Sequence, residues 1–454
     1  MNHLMQMNHE QHFFAREDVD PLPHAFEKKA VIHPGMMGGK RIPQDQASTR
    51  WTELLHTERH GKTVAYFHLP FCENRCPFCG FYKNLMKPEA SRFYTDMLIQ
   101  ELEAESETPA VKNGPVHAVY FGGGTPTAFD ADDLKRLLQA VRRCLPLAGD
   151  CEITVEGRIY HFDPQKMEAC FEGGANRFSI GVQSFDTDIR RSMGRIASRD
   201  TVLRSLEKLR DMDRGVVVID LIYGLPGQTM DIWRDDVSTL LELGLDGADL
   251  YQLNVFHGGP LEQAIQSAKV PPAADIPQQS EMFANGVALM QKARYRRLSI
   301  CHWGNGTRER NIYNQLMKSG AHCLAYGSGA GGSLHGYEYF TINDLEQYRS
   351  AIRQDTKPLM MLMTPPKHHD FIKFLTGQLE LGRIDLRRAS RTFQCKLESI
   401  YQPLLEQWQR VGLIELDQQG WLTLTLAGEF WQVNLTQALI QYFNMFSQKA
   451  GNVT

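Results

Sequence analysis

TVAYFHLPFCENRCPFCGFYKN, residues 63–84, decides how the rest of the chain is read. Its opening, TVAYFHL (63–69), is a short run rich in β-branched and aromatic residues, as expected of a strand buried on both faces. The loop behind it carries Cys72, Cys76 and Cys79, spaced C-x3-C-x2-C. Thiolates are soft ligands that suit zinc or iron–sulfur centres. A structural zinc takes four ligands, normally as two closed pairs. Here three thiols share one loop and no fourth follows at close range. Three thiolates on a four-iron cluster leave one iron open. A three-thiol zinc site completed by a distant histidine, or three unconnected thiols, are the alternatives.

Beyond this loop the chain alternates strand with helix. Further candidate strands are HAVYFGG (117–123), CEITVE (151–156), RFSIGV (177–182), VVVIDLIYG (216–224) and ADLYQLNV (248–255). Between them lie amphipathic stretches of helix length at 87–106, 130–144, 163–173, 198–212 and 229–244, several opening on a capping Asp or Ser. Six βα units in a row indicate a parallel α/β sheet, open or curled into a partial barrel. Chemistry in such folds sits in loops at the C-terminal ends of the strands.

Those ends carry four more signatures. GGGTP (122–126) lets backbone approach a ligand closely. Glu156 ends the third strand, where a carboxylate accepts bonds from an ammonium or a ribose; a plain surface charge is the alternative. NRFSIGVQSF (176–185) is followed by Arg195, and DLIYGLPGQT (220–229) completes the set. Buried Gln, Arg and Asp are costly unless hydrogen-bonded, and a polar ligand would satisfy them.

Together, YFHLPFC, GGGTP, NRFSIGVQSF and DLIYGLPGQT resemble the radical S-adenosylmethionine superfamily, and within it the oxygen-independent coproporphyrinogen III dehydrogenase family. The match spans about residues 60–260 and runs more weakly through AYGSGA (325–330) to the C-terminus. The resemblance implies a [4Fe–4S] cluster on Cys72, Cys76 and Cys79 whose open iron is chelated by S-adenosylmethionine. It implies reductive cleavage to a 5'-deoxyadenosyl radical, with the electron from a flavodoxin or similar donor. Two S-adenosylmethionine molecules lie side by side in this family. Carried over, Tyr66, Gly123 and Glu156 match positions that hold the first. Phe78, Gly124, Thr125, Gln183, Arg195, Asp220 and Asn254 match positions that hold the second. No catalytic acid or base is named by these motifs.

The family includes dehydrogenases, haem chaperones and an anaerobic haem-degrading methyltransferase branch. The dehydrogenases carry a fourth cysteine two residues after the third, where this chain has Phe81. The chaperones also lack it, usually with Asp where this chain has Gly80, and they are shorter, without a long N-terminal arm. HPGMMGGKRIP (33–43), FHGGPL (256–261) and SICHWGNGTRERNIYNQL (299–316) resemble the haem-degrading branch. Haem iron takes His, Cys, Met or Tyr ligands. His257 and His302 are the axial candidates, with Cys301 and His335 also expected near the barrel mouth. Arg308 and Arg310 could pair with haem propionates as forked donors, or lie solvated. The resulting expectation is an enzyme that opens the haem ring to a linear tetrapyrrole and frees iron. A coproporphyrinogen dehydrogenase and a non-catalytic haem chaperone are the alternatives.

Composition agrees with a globular enzyme. The chain has 454 residues, 22% charged and 42% hydrophobic, which excludes a disordered chain, a collagen-like fibre and a coiled-coil rod. A net charge of -4 disfavours nucleic acid as the main ligand. Nine cysteines in a long chain do not look like a secreted disulfide framework, which is shorter and even-numbered. The first 30 residues lack a signal-peptide apolar run, and no stretch approaches 18 apolar residues, so a cytoplasmic protein without membrane spans is expected.

Four regions follow: an arm at 1–60, a partial (β/α)6 barrel at 61–295, a connecting and barrel-mouth segment at 296–360, and a small winged-helix-like domain at 361–454. The arm, broken by prolines and glycines, folds over a later domain or stays a mobile tail.

Overall fold

The structure is a computed structural model that describes residues 13–30 and 39–451. Six parallel strands follow one another in sequence and in space. They are β1 (Thr63–Leu69), β2 (Val116–Gly123), β3 (Leu147–Gly157), β4 (Arg177–Gln183), β5 (Val216–Tyr223) and β6 (Gly247–Gln252). Helices Ala90–Ser106, Ala131–Cys144, Pro164–Gly173, Arg199–Asp211 and Met230–Leu243 connect them. Three of these helices begin where a side chain takes up a free amide: Ser198 accepts from Thr201 N, Asp163 from Lys166 N and Thr229 from Ile232 N. The helix Pro164–Gly173 ends on Gly174, which is left-handed at φ 110°.

The sheet is larger than six strands. Beyond β6 runs β7 (His302–Gly304), antiparallel, with Arg296–Arg297 outermost. On the other side, β8 (His322–Tyr326) pairs parallel with β1, Thr63 against His322. Three antiparallel strands follow outward: β9 (Gly331–Leu334), β10 (Tyr337–Thr341) and β11 (Leu359–Met363). The twelve strands form one open series, so the parallel part is a partial barrel. The segment 296–360, expected to be a connecting and barrel-mouth segment, contributes strands on both sides of the six. Its strands are short and glycine-flanked, which hides them from a periodicity reading.

The C-terminal region builds helices Leu397–Arg410 and Gln432–Gly451 and a small antiparallel sheet. Arg383–Asp385 joins the hairpin of Ile414–Leu416 and Trp421–Leu424, as in a winged helix. The described part of the arm packs here. Gln407 exchanges two bonds with the backbone of Ala15, at 3.1 and 2.7 Å. Trp408 Nε1 donates to Phe13 O at 3.1 Å, and Trp431 Nε1 to Pro21 O at 2.9 Å. Of the arm motif at 33–43, residues 33–38 lie outside the described residues. No described helix is long and apolar enough to cross a membrane.

Candidate functional site

Strand geometry gives the barrel a polar interior. Side chains alternate between faces along a strand, and the register places Tyr66, Tyr120, Glu156, Arg177, Asp220 and Asp249 on one face. The opposite face carries Phe67, Phe121, Val155, Phe178 and Ile219, all buried in the main core.

The thiol loop leaves β1 at its C-terminal end. A two-residue parallel pair, Phe71–Cys72 with Asn84–Leu85, pins its base. Cys79 N donates to Cys76 O at 3.2 Å. Cys72 and Cys76 are buried and Cys79 is half-buried, all three free. Several donors point at sulfur. Thr125 Oγ1 reaches Cys72 Sγ at 3.4 Å, Arg158 Nη2 reaches it at 3.7 Å, and Phe81 N reaches Cys79 Sγ at 3.3 Å. Burial pushes the Cys72 thiol up, while Thr125 and Arg158 pull it down. Among the described residues no three His, Cys, Asp or Glu side chains close on a single-ion position.

Tyr66, Gly123 and Glu156 come together beside this loop. Tyr66 Oη lies 3.0 Å from His68 Nδ1, and Tyr120 Oη donates to Glu156 Oε1 at 2.7 Å. Gly123 has φ +105°, and a Cβ there would strike the His68 ring, so the position requires glycine. Burial pushes the Glu156 carboxyl up, opposed by the Tyr120 hydroxyl and the Gly123 amide.

Phe78, Gln183 and Arg195 form a second group. Arg195 lies over the Phe78 ring at 5.7 Å and donates to Gly181 O at 3.2 Å. Gln183 has φ 74°, a left-handed backbone that is uncommon for a residue with a side chain. Gly124 packs on the Phe71 backbone, and Thr125 on Cys72. Asp220 sits 3.5 Å from Ser179 Oγ, its carboxyl pushed up to about 7 by burial first and then by Asp249 and Glu156. Asn254 lines a cavity of about 370 Å³ with Tyr251, Cys301 and Phe430.

Gln183 Oε1, Arg195 Nε and His68 Nε2 are buried without a hydrogen-bond partner. Such orphans are costly unless a polar ligand satisfies them. With donors aimed at the thiols and a glycine cradle beside them, the residues present fit a thiolate-bound iron–sulfur cluster and an adjacent polar cosubstrate.

Several expected haem contacts lie elsewhere. His302 is buried with both ring nitrogens engaged, Nδ1 to Asp249 at 2.8 Å and Nε2 to Glu309 at 2.9 Å. It offers iron no free lone pair, and its place is in the sheet as part of β7. Glu309 in turn accepts from Arg177 Nε at 3.0 Å and Nη2 at 3.1 Å. Arg308 pairs with Asp213 at 2.6 Å and Arg310 with Asp150 at 3.2 Å, both at the N-terminal ends of the strands. Neither is free for a propionate at the mouth, because residues 305–311 close the base of the barrel. His335 is also at that end: its amide donates to the ring of His322, the first residue of β8. Burial pushes the Cys301 thiol up to about 12. His257 fares differently, being exposed after β6 with Nδ1 3.2 Å from Glu262.

Sequence reading missed Arg158, His68 and the Arg177–Glu309–His302–Asp249 network. A signal existed: polar residues recurring every second position in otherwise apolar strands.

Comparison with known proteins agrees with this geometry. The radical SAM superfamily matches residues 66–240. Anaerobilin synthase of Escherichia coli O157:H7 is 39% identical over 447 residues, covering 96% of this chain and 98% of that protein. The heme chaperone HemW of Lactococcus lactis is 28% identical, covering 74% and 86%. Among solved structures, coproporphyrinogen III oxidase (HemN) from Escherichia coli superposes with TM-score 0.75 at 19% identity, over 90% of this chain and 96% of that one.

Proposed function

From a chain that belongs to the radical SAM superfamily, in the coproporphyrinogen III oxidase-like family with anaerobilin synthase, we propose an anaerobic haem-opening methyltransferase. The reaction transfers a methyl-derived carbon from S-adenosylmethionine to a porphyrin meso carbon, opens the ring to a linear tetrapyrrole and frees iron. The observation that carries this reading is the 39% identity to anaerobilin synthase, which reaches past the barrel along 96% of the chain.

Cys72, Cys76 and Cys79 would hold a [4Fe–4S] cluster, which when bound and reduced would supply the electron that cleaves S-adenosylmethionine. A flavodoxin-like protein is the proposed donor to it. Tyr66, Gly123 and Glu156 hold one S-adenosylmethionine, and Phe78, Gly124, Thr125, Gln183, Arg195 and Asp220 a second. Asn254 joins the second set only by its place after β6. The unpartnered Gln183 Oε1 and Arg195 Nε supply an acceptor and a donor to that ligand. Asp220, near 7, can donate or accept at neutral pH. His257 remains the exposed axial candidate at the mouth.

The test is anaerobic incubation of reconstituted protein with haem, S-adenosylmethionine and a reductant. Loss of the Soret band with a mass gain of one methyl group is expected. Haem recovered intact would sink this reading in favour of a chaperone. Two carbon dioxide molecules released from coproporphyrinogen III would do so in favour of the dehydrogenase.

A further inference from the structure

The arm reaches the barrel mouth with one cation. Asn434, in the last helix, brackets Lys29: its Oδ1 accepts from Ala30 N at 2.9 Å and its Nδ2 donates to Lys28 O at 2.9 Å. Lys29 is thereby held, half-buried, at the cavity of about 370 Å³. It lines that cavity with Phe430 of the C-terminal region and with Tyr251 and Asn254 at the end of β6. The proposed mechanism leaves this lysine unused.

The charges of the cavity do not cancel. Glu429 is paired with Arg297 at 2.6 Å and Glu380 with Lys318 at 3.0 Å, so each acid on the wall has a cation of its own. Lys29 makes no ion pair among the described residues, and its ammonium lies 3.2 Å over the Phe430 ring. Burial pushes it well below the usual lysine range, and no acid offsets that. One counter-charge is missing, and a carboxylate supplies it.

Apolar surface leads from here to the thiol loop. Tyr251 follows Asp249 by two residues, so its ring faces the barrel interior, where it is 41% exposed. Beyond β6, Val255 and Phe256 are 40% and 42% exposed. A Cβ on Gly80, next to Cys79, would stand 3.4 Å from the Phe256 ring. Exposed apolar side chains gathered in one place mark a binding surface.

A flat apolar ligand that ends in a carboxylate fits both features. We propose that Lys29 binds a carboxylate of the tetrapyrrole substrate, whose ring lies over Tyr251 and Phe256. The cavity is at the low end of the roughly 300–1,000 Å³ of ligand sites, so it takes a carboxylate-bearing edge and not the whole ring. That the carboxylate belongs to haem rests on the functional reading above. The other carboxylate at hand is that of S-adenosylmethionine, and the test separates the two.

The experiment measures equilibrium binding to the cluster-loaded full chain, anaerobically and without reductant. The probes are haem, haem dimethyl ester and S-adenosylmethionine. Lys29→Met should weaken haem by about tenfold or more, the share of a charge-assisted hydrogen bond, and Lys29→Arg should recover most of it. The dimethyl ester should bind the wild type about as weakly as haem binds Lys29→Met, and should bind both proteins alike. S-adenosylmethionine should also bind both alike. Equal haem affinity in wild type and Lys29→Met, an equal loss of ester binding, or a loss on S-adenosylmethionine instead, would overturn the proposal. Haem consumption with a KM that ignores Lys29→Met would overturn it too and leave the proposed function standing. Haem binding that needs Lys29, in a protein that never consumes haem, would do the reverse.

Discussion

Cys76 sits 1% exposed in the thiol loop, in one run of eight residues with Cys72 and Cys79, all three free. Cys76→Ala should lower iron per chain and abolish 5'-deoxyadenosine formation; turnover by an iron-free protein would rule out the radical reading. His302 shows the opposite case, a residue whose type pointed to one role and whose surroundings give it another. Burial opposes its charge, but Asp249 and Glu309 overcome this and push it up to about 9. A raised folded value means its stabilisation is complete below the unfolded value near 6.5 and is lost as pH rises through about 9. That interval corresponds to roughly 3 kcal/mol. The denaturant midpoint should therefore fall between those pH values, and His302→Gln should flatten the fall. The thiols and GGGTP could be read from sequence because their spacing is local. His302 could not, since its partners Asp249 and Glu309 come from a neighbouring strand and from the loop beyond its own.

At the scale of elements, β1 to β6 were readable because each is a compact apolar run; the structure keeps both ends of β1 and moves no end of the others by more than four residues. The added strands β8 to β11 were not, because four or five residues carry too little pattern against glycine and turn residues. Of the segment 299–316, expected to contribute to a haem site, residues 305–311 form the floor of the barrel, whereas 299–301 line the cavity with Asn254. Its helix Ile312–Lys318 opens with the amides of Ile312 and Tyr313 donating to buried Glu152, at 3.1 and 3.2 Å. Tyr313 then packs against Tyr120, ring centroids 4.7 Å apart and tilted by 35°, which ties the floor to the polar interior. Arg308 and Arg310 grip the outside of the same floor in exposed pairs, which contribute about 0–1 kcal/mol each. Arg308→Ala and Arg310→Ala should leave the KM for haem within about twofold of wild type. A tenfold rise would return these residues to the substrate site.

Across the whole molecule, the first and last parts of the chain are bound together. Gln407 is buried and satisfied by the backbone of Ala15 on both sides of its amide. Gln407→Ala leaves a buried N–H and C=O unpaired, a cost of about 1–3 kcal/mol each. The arm over 13–30 should then be cut faster by protease, while haem turnover at saturating substrate is kept. That contact was not readable, because an irregular segment carries no periodicity to say what it packs against. The same holds for β8, whose place beside β1 has a temporal side. Residue 64 waits for residue 323. At roughly 5–20 residues per second, synthesis reaches that partner on the order of 10–50 s after β1 leaves the ribosome. Until then the strand leading to the thiols has an unpaired edge, the kind of surface that recruits chaperones or other strands. A truncation anywhere before β8 should therefore yield aggregate rather than a smaller folded barrel.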